Sequence, residues 1–170
     1  MIRSSAGLLL FRFTPELEVL LVHPGGPFWA RKDLGAWSIP KGEIDRGETP
    51  LDAARREFSE ETGGTVDGPF LPLEARRQST GKIVHAWAVP ADFDPLTLTS
   101  TSYSMEWPPR SGRQQSFPEV DRAAWFTVAD ARLKIIKGQL GFLDDIERLI
   151  AETRHNPEGG ATTQPAKTRS

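Results

Sequence analysis

The chain has 170 residues, of which 38% are hydrophobic, and it therefore fits one globular domain that can bury a core of its own. Its net charge of -2 gives no electrostatic reason to expect a nucleic-acid duplex or an anionic membrane as the main partner. Cysteine is absent, which excludes disulfides, thiolate catalysis and zinc sites of the cysteine type. The three histidines are scattered, so any metal must be held by oxygen ligands.

The chain begins with a predicted hairpin. Two apolar runs, residues 6–13 and 18–22, flank a short turn and predict two paired strands. After a loop rich in glycine and proline, residues 36–40 predict a short strand that ends at a proline. Residues 41–48 predict a loop that leads into the first helix.

The first helix has clear signals at both ends. Thr49 is a preferred N-cap residue, and Pro50 occupies the first helical position, where its missing N–H costs nothing. The glycine pair 63–64 ends the helix. Ala54 and Phe58 belong to the stripe that faces the core, so the carboxylates lie on the other face.

The second half of the chain predicts further strands and a closing helix. Residues 82–90 and 102–107 predict strands, and residues 108–117 a polar loop. A short apolar stretch covers residues 124–126, and the apolar spacing in residues 138–153 predicts the last helix. Strands on both sides of the capped helix, with another helix at the end, predict a layered domain of the α/β or α+β class.

One domain, residues 1–154, is expected to precede a disordered tail. Residues 155–170 are rich in Pro, Gly, Thr and Ser and have no large apolar side chain, which predicts disorder. The amino end lacks the pattern of a signal peptide, and no apolar run approaches the ~18 residues of a membrane span. We therefore expect a cytoplasmic protein that does not use a membrane as a partner.

An acidic run on the capped helix is the most informative feature of the chain. Glu57, Glu60 and Glu61 are spaced at i, i+3 and i+4, so they share one helical face and repel each other. They also lie near the carboxyl end, where the helix dipole disfavours anions. The cluster predicts a bound cation, unless it is a solvated acidic face or its acids pair with Arg55 and Arg56.

The acidic run belongs to a longer pattern. It consists of Gly42, five residues, Glu48, seven residues, Arg56-Glu57-Phe58, one residue, Glu60-Glu61, one residue and Gly63. This pattern resembles the signature box of the Nudix hydrolases, and every fixed position of that box is present. The last position of the box is usually aliphatic in the family and is Gly64 here. The resemblance implies a Nudix fold, which is an α+β domain built as an α/β/α sandwich with a mixed β-sheet between helices. It also implies a metal-dependent pyrophosphohydrolase.

The resemblance also implies a metal site of oxygen ligands. Glu60 and Glu61 would be the principal ligands, helped by the backbone carbonyl of Lys41. Glu57 would either ligate the metal or deprotonate the attacking water. Hard carboxylate oxygens suit Mg²⁺ or Mn²⁺, which bridge substrate phosphates.

The remaining box residues are implied to be structural. Arg56 would form an ion pair with Glu48 and hold the loop before the helix in place. We also count Arg56 among the candidate catalytic residues. Gly42 and Gly63 complete this part of the box. Gly42 lies in a loop that must approach a ligand closely, which a residue without Cβ allows.

Outside the box, each candidate for a catalytic or phosphate-binding role can equally well be, or is more often, an ordinary surface residue. Glu119 precedes a short strand, where many relatives place a further glutamate that binds metal or acts as a base, but it is equally an ordinary loop acid. Glu106 is a competitor inside a predicted strand. Lys41 is a candidate phosphate ligand, although its carbonyl matters more. Arg31 and Lys32 could neutralise a polyphosphate tail, although exposed basic residues are more often only surface.

Aromatic residues on loops are candidates for stacking on a nucleobase. We assign this role to Trp29, Tyr103 and Trp107. Three further tryptophans lie in apolar stretches and are predicted to belong to the core: Trp37, Trp87 and Trp125. His23, at the end of a strand, is predicted to be structural.

The implied reaction is hydrolysis of a phosphoanhydride bond in a nucleoside diphosphate linked to another group. Trp37 and the Pro-Lys-Gly turn resemble the diadenosine tetraphosphate hydrolase branch, which favours a dinucleoside polyphosphate slightly over a nucleoside triphosphate. Two alternatives stay open: an enzyme acting on triphosphorylated RNA 5′ ends, and a nucleotide-binding regulator without catalysis. A small-molecule nucleotide is thus the expected partner, and the oligomeric state is not predicted.

Overall fold

The computed structural model describes residues 3–155 of the chain. Its main sheet has seven strands, and a separate two-stranded hairpin lies beside it. The strands of the main sheet are β1 (Ser4–Phe13), β2 (Leu17–Pro24), β3 (Lys41–Glu43), β4 (Leu71–Pro72), β5 (Arg76–Arg77), β6 (Ile83–Pro90) and β9 (Val120–Thr127). The hairpin consists of β7 (Ser102–Glu106) and β8 (Gln114–Pro118), and the helices are α1 (Pro50–Thr62), α2 (Val128–Lys134) and α3 (Leu140–His155).

The main sheet is mixed, with the order β4-β6-β1-β2-β9. β1 runs parallel to β6 and antiparallel to β2. β3 pairs with the start of β1, where Gly7 lies opposite Lys41, and β5 pairs with β6. This pairing brings residues 41–43, which begin the acidic pattern, to the centre of the sheet.

Helices cover both faces of the sheet, as the predicted sandwich requires. Leu8 and Leu10 of β1 pack with Phe58 of α1 on one face. The alternate residues Leu9 and Phe11 belong to a second core with Phe142 and other apolar residues of α2 and α3. Because successive side chains of a strand point to opposite faces, β1 contributes to both cores. The predicted α+β class and α/β/α layering are confirmed.

The signals at the ends of α1 act as predicted. The N–H of Asp52 donates to the Thr49 hydroxyl at 3.2 Å, and Pro50 begins the helix. Gly63 ends it with φ 79°, in the left-handed region that glycine adopts without strain, and its N–H donates to the carbonyl of Ser59 at 2.8 Å. Both ends of α1 are therefore defined by interactions between residues that are close in sequence.

Three sequence predictions for strands and loops were wrong. Residues 36–40 form no strand: Ser38 makes an isolated bridge to Val22, and the segment is apolar because it is buried between the sheet and α2. Residues 41–43, predicted as loop, are a strand because β1 offers a pairing edge there. Within the predicted loop 108–117, residues from 114 onward form β8, which pairs with β7. The strand is largely exposed and polar, so its sequence has no apolar alternation that would predict it.

Three tryptophans are predicted to belong to the core, and Trp37, which is 4% exposed, does so fully. Trp87 and Trp125 are partly buried and pack against the core beside α1. Within residues 3–155, no helix is long and apolar enough to cross a membrane. The predicted disordered tail lies outside the described residues, except that His155 is the last residue of α3.

Candidate active site

Arg56 ties the loop before α1 to the helix. Its Nε and Nη2 donate to the two carboxylate oxygens of Glu48 at 2.8 and 3.0 Å, and Nη2 also donates to the carbonyl of Glu43 at 2.9 Å. Glu48 in turn accepts the backbone N–H of Asp45 at 3.0 Å. The bonds from Arg56 lower the pKa of the Glu48 carboxyl to about 2. The loop is therefore held against α1 by a bidentate pair of opposite charges.

Glu57 lies against strand β3. The residue is only 9% exposed, and its Oε1 accepts a hydrogen bond from Nη1 of Arg56 at 2.8 Å. A Cβ at Gly42 would overlap the Glu57 carboxylate, so the space for this carboxylate depends on glycine in β3. Burial raises the pKa of Glu57, because the charged form loses hydration. The structure thus holds a carboxylate where its charge is poorly solvated.

The other two acids of the cluster differ in their surroundings. The side chain of Glu60 is 41% exposed and accepts from Nη1 of Arg56 at 3.2 Å. The Glu61 carboxylate accepts the backbone N–H of Lys41 at 3.2 Å. Burial, with the nearby charge of Glu57, raises the pKa of Glu61 to about 8. Two of the three carboxylates in the acidic run, those of Glu57 and Glu61, therefore lack full compensation of their charge.

Without metal, the thermal midpoint is expected to fall as the pH rises from about 5 to about 8, the window between the ordinary and the raised pKa of Glu61. In this window the folded protein binds more protons than the unfolded chain, so raising the pH favours unfolding. Melting curves in chelator across this range measure the effect. Replacing Glu61 by Gln should flatten the dependence, and an unchanged slope in that variant would contradict the assignment.

Four predicted site residues line one cleft of about 230 Å³: Trp29, Lys41, Glu61 and Glu119. They come from four separate segments of the chain, which pairing of β2 with β9 and of β1 with β3 brings together. The charge of Glu119 adds to burial in raising the pKa values of Glu57 and Glu61, so the three acids share one electrostatic environment. Glu119 therefore lies with the box acids, although the sequence left it equally an ordinary loop acid.

The rest of the cleft wall carried no functional signal in the sequence. It is mostly apolar and consists of Val22, Pro24, Ala36, Ser38, Ile39, Val120 and Ile136. Ile136 follows α2, and its N–H donates to the carbonyl of Trp37 at 2.8 Å. Such a residue cannot be found from motif or composition, because only the long-range contact brings it to the cleft.

The other predicted binding residues do not line this cleft. The Tyr103 hydroxyl donates to the carbonyl of Gly25 at 3.2 Å, and the ring centroids of Trp107 and Phe28 are 5.4 Å apart in an edge-to-face contact. Arg31 is exposed on the loop after Trp29. Glu106, the competitor of Glu119, is exposed at the distal end of β7.

His23 is fully buried, and both of its ring nitrogens have partners. Nδ1 lies 2.8 Å from a carboxylate oxygen of Asp121, and Nε2 lies 2.6 Å from the carbonyl of Lys32. Lys32 also places its ammonium 4.9 Å from the ring centroid of Trp29. His23 thus supports the segment that carries Trp29, in keeping with a structural histidine.

The donor set around α1 fits a hard divalent cation. Glu57, Glu60 and Glu61 offer carboxylate oxygens, which Mg²⁺ and Mn²⁺ prefer, and burial raises the pKa values of Glu57 and Glu61 because their charged forms lose hydration. Within residues 3–155, no group of three His, Asp or Glu side chains already forms a metal centre. Instead Nη1 of Arg56 bonds to both Glu57 and Glu60, so these carboxylates must turn to ligate an ion.

Two curated relatives match part of this chain. An RNA pyrophosphohydrolase of Caulobacter vibrioides is 33% identical over 98 residues, which cover 55% of this chain and 50% of the relative. An RNA pyrophosphohydrolase of Erythrobacter litoralis is 58% identical over 36 residues, or 21% of this chain and 22% of the relative. The matches thus span half or less of the length of these curated relatives.

A solved structure with the same fold is an Ap4A hydrolase from C. elegans in a binary complex. It superposes with a TM-score of 0.62 and 21% identity, over 87% of this chain and 98% of that one. The family model of the NUDIX domain matches residues 1–146. Because this match covers most of the chain, including the acidic helix and the cleft, the chain belongs to the Nudix family.

Proposed function

We propose that the protein hydrolyses a phosphoanhydride bond in a nucleoside diphosphate that is linked to another group, and that it requires Mg²⁺ or Mn²⁺. The observation that carries the proposal is the meeting of Lys41, Glu61, Glu119 and Trp29 at one cleft beside the buried acid Glu57. Hydrolysis of a diphosphate needs acids for a metal, a cation for phosphate and a surface for the base. These chemical types lie together here.

The metal would be held by Glu57, Glu60 and Glu61 together with the backbone carbonyl of Lys41. A divalent cation bound there neutralises phosphate charge and lowers the pKa of water. Glu57 is suited to accept a proton from the attacking water, because burial brings its pKa closer to neutral pH. Glu119 faces the same cleft and is the second candidate for this base.

The residues around the acids bind and orient the substrate. Lys41 lines the cleft, and its ammonium can neutralise a phosphate. The bond between Arg56 and Glu48 holds the loop that connects β3 to α1. Trp29 lines the same cleft and is 38% exposed, so its ring is accessible for stacking on a base. Tyr103 and Trp107 are less suited to this role, since both rings are engaged elsewhere.

The size of the cleft bears on the substrate. At about 230 Å³ it is smaller than the roughly 300–1,000 Å³ of sites that enclose a whole drug-sized ligand. It can enclose one nucleotide portion, with the remainder of the substrate lying over the rim. A dinucleoside polyphosphate meets this condition, and so does a nucleoside triphosphate whose tail extends towards the acids.

A triphosphorylated RNA 5′ end is the second candidate substrate. Its support is that the curated relatives are named RNA pyrophosphohydrolases, although only part of each is matched. Phe28 directly precedes Trp29 in the chain and is 59% exposed, so its ring offers a further surface on which a second base can stack. A regulator without catalysis is less well supported, because all the carboxylates of the box are present.

A substrate panel with identification of the products tests the proposal. It compares diadenosine tetraphosphate, nucleoside triphosphates including oxidised dGTP, nucleotide sugars and triphosphorylated RNA, each with Mg²⁺, Mn²⁺ or excess chelator. We expect cleavage of a phosphoanhydride bond only with metal, and the fastest turnover on the dinucleoside polyphosphate. Full activity in chelator would refute the metal assignment, and preference for RNA would favour the second candidate.

A further inference from the structure

The hydroxyl of Tyr103 joins the β7–β8 hairpin to the turn that follows β2. Tyr103 is on β7, and its Oη donates to the carbonyl of Gly25 at 3.2 Å. Its ring packs against Phe117 of β8, with centroids 6.1 Å apart. Gly25 belongs to the turn that follows β2 and leads to Trp29. The bond therefore joins the hairpin to the segment that carries the aromatic wall of the cleft.

Gly25 is also bonded directly to the backbone of Glu119. The N–H of Gly25 donates to the carbonyl of Glu119 at 2.9 Å, and the N–H of Glu119 donates to the carbonyl of Thr101 at 2.9 Å. The N–H of Thr101 in turn donates to the carbonyl of Glu60 at 2.9 Å. A continuous series of hydrogen bonds thus leads from the acidic helix through Glu119 to Gly25 and Tyr103.

The turn is packed so closely that only glycine fits at two successive positions. A Cβ at Gly25 would overlap the carbonyl of Pro118, and a Cβ at Gly26 would overlap Oη of Tyr103. Gly26 has φ 98°, which glycine adopts without strain. Its carbonyl accepts the N–H of Trp29 at 3.3 Å. The same contact surface therefore determines the positions of Glu119 and Trp29.

We propose that Tyr103 is a positioning residue: its hydroxyl fixes Gly25 and, through the bond from Gly25 to Glu119, holds Glu119 at the cleft. This inference rests on the proposed function, because it gives Tyr103 a part in the reaction through Glu119. It replaces base stacking as the role of Tyr103, since the ring is packed on Phe117 and the hydroxyl is bonded to Gly25. Tyr103 does not line the cleft, so this role requires no contact with the substrate.

The kinetic test is a double-mutant cycle of Tyr103→Phe and Glu119→Gln in the metal-loaded enzyme. Tyr103→Phe keeps the ring and removes one neutral hydrogen bond, so we expect kcat to fall by roughly three- to tenfold with little change in KM. In the Glu119→Gln background the same change should cause no further loss. Ser104→Ala, on the exposed face of the same strand, is the matched control and should leave both constants unchanged.

Hydrogen exchange provides a readout that does not depend on activity. Removing the hydroxyl should speed exchange of the Gly25 and Glu119 amides, while amides in the centre of β1 stay protected. The proposal is wrong if exchange is unchanged, if Glu119→Gln is fully active, or if Tyr103→Phe costs the same factor in both backgrounds. If the wild-type enzyme cleaves nothing in the substrate panel, the proposed function fails, and the exchange experiment still decides whether Tyr103 positions Glu119.

Discussion

Glu57→Gln is expected to lower kcat by about 10²- to 10⁴-fold, the range of a lost general base, while the protein stays folded. The amide retains the shape of the side chain and can still accept from Arg56. It has neither the negative charge that a metal needs nor the basicity that takes a proton from water. Initial rates at saturating Mg²⁺ or Mn²⁺ measure the loss.

Stability separates this chemical effect from misfolding. Because Glu57 is a buried carboxylate with a raised pKa, its neutral replacement should melt no lower than wild type in chelator at neutral pH. Glu152→Gln, an exposed carboxylate on α3, is the control and should retain full activity. An active Glu57→Gln enzyme would show that this acid neither binds the metal nor serves as the base.

Saturating Mg²⁺ or Mn²⁺ is expected to raise the thermal midpoint by several degrees. A ligand that binds only the folded state at 100 times its Kd stabilises by about 2.7 kcal/mol. For a domain of this size that corresponds to roughly 5–10 °C. The physical source is relief of the repulsion among Glu57, Glu60 and Glu61, which the fold tolerates at a cost when no cation is present. Differential scanning fluorimetry over a metal titration measures the shift.

The specificity of this shift depends on the carboxylates. The double variant Glu60→Gln and Glu61→Gln should lose most of the metal-induced shift and melt higher than wild type in chelator at neutral pH. NaCl at matched ionic strength controls for general screening of surface charge. Wild-type melting that does not respond to metal would show that the folded protein binds none, and a shift that the double variant retains in full would place the metal elsewhere.

Local interactions account for what could be predicted at the site. The caps of α1 depend on Thr49, Pro50 and Gly63, which are neighbours of the helix in sequence, and the acidic face follows from helical spacing alone. The strands with alternating or continuous apolar residues were predicted for the same reason. The sequence does not predict β3 and β8, because both strands are short and mostly polar and because their partners β1 and β7 are not adjacent to them in sequence.

The sequence by itself determined the reaction class that we propose, because the acids, the glycines and the helix caps act within one local segment of the chain. Only the tertiary structure decided which distant groups join those acids. It brings Glu119 and Trp29 to the cleft, adds Ile136 to its wall and bonds Tyr103 to the glycine turn instead of leaving it free to stack. The physical reason is that these contacts depend on strand pairing and close packing between segments far apart in sequence, which no local pattern of residues encodes.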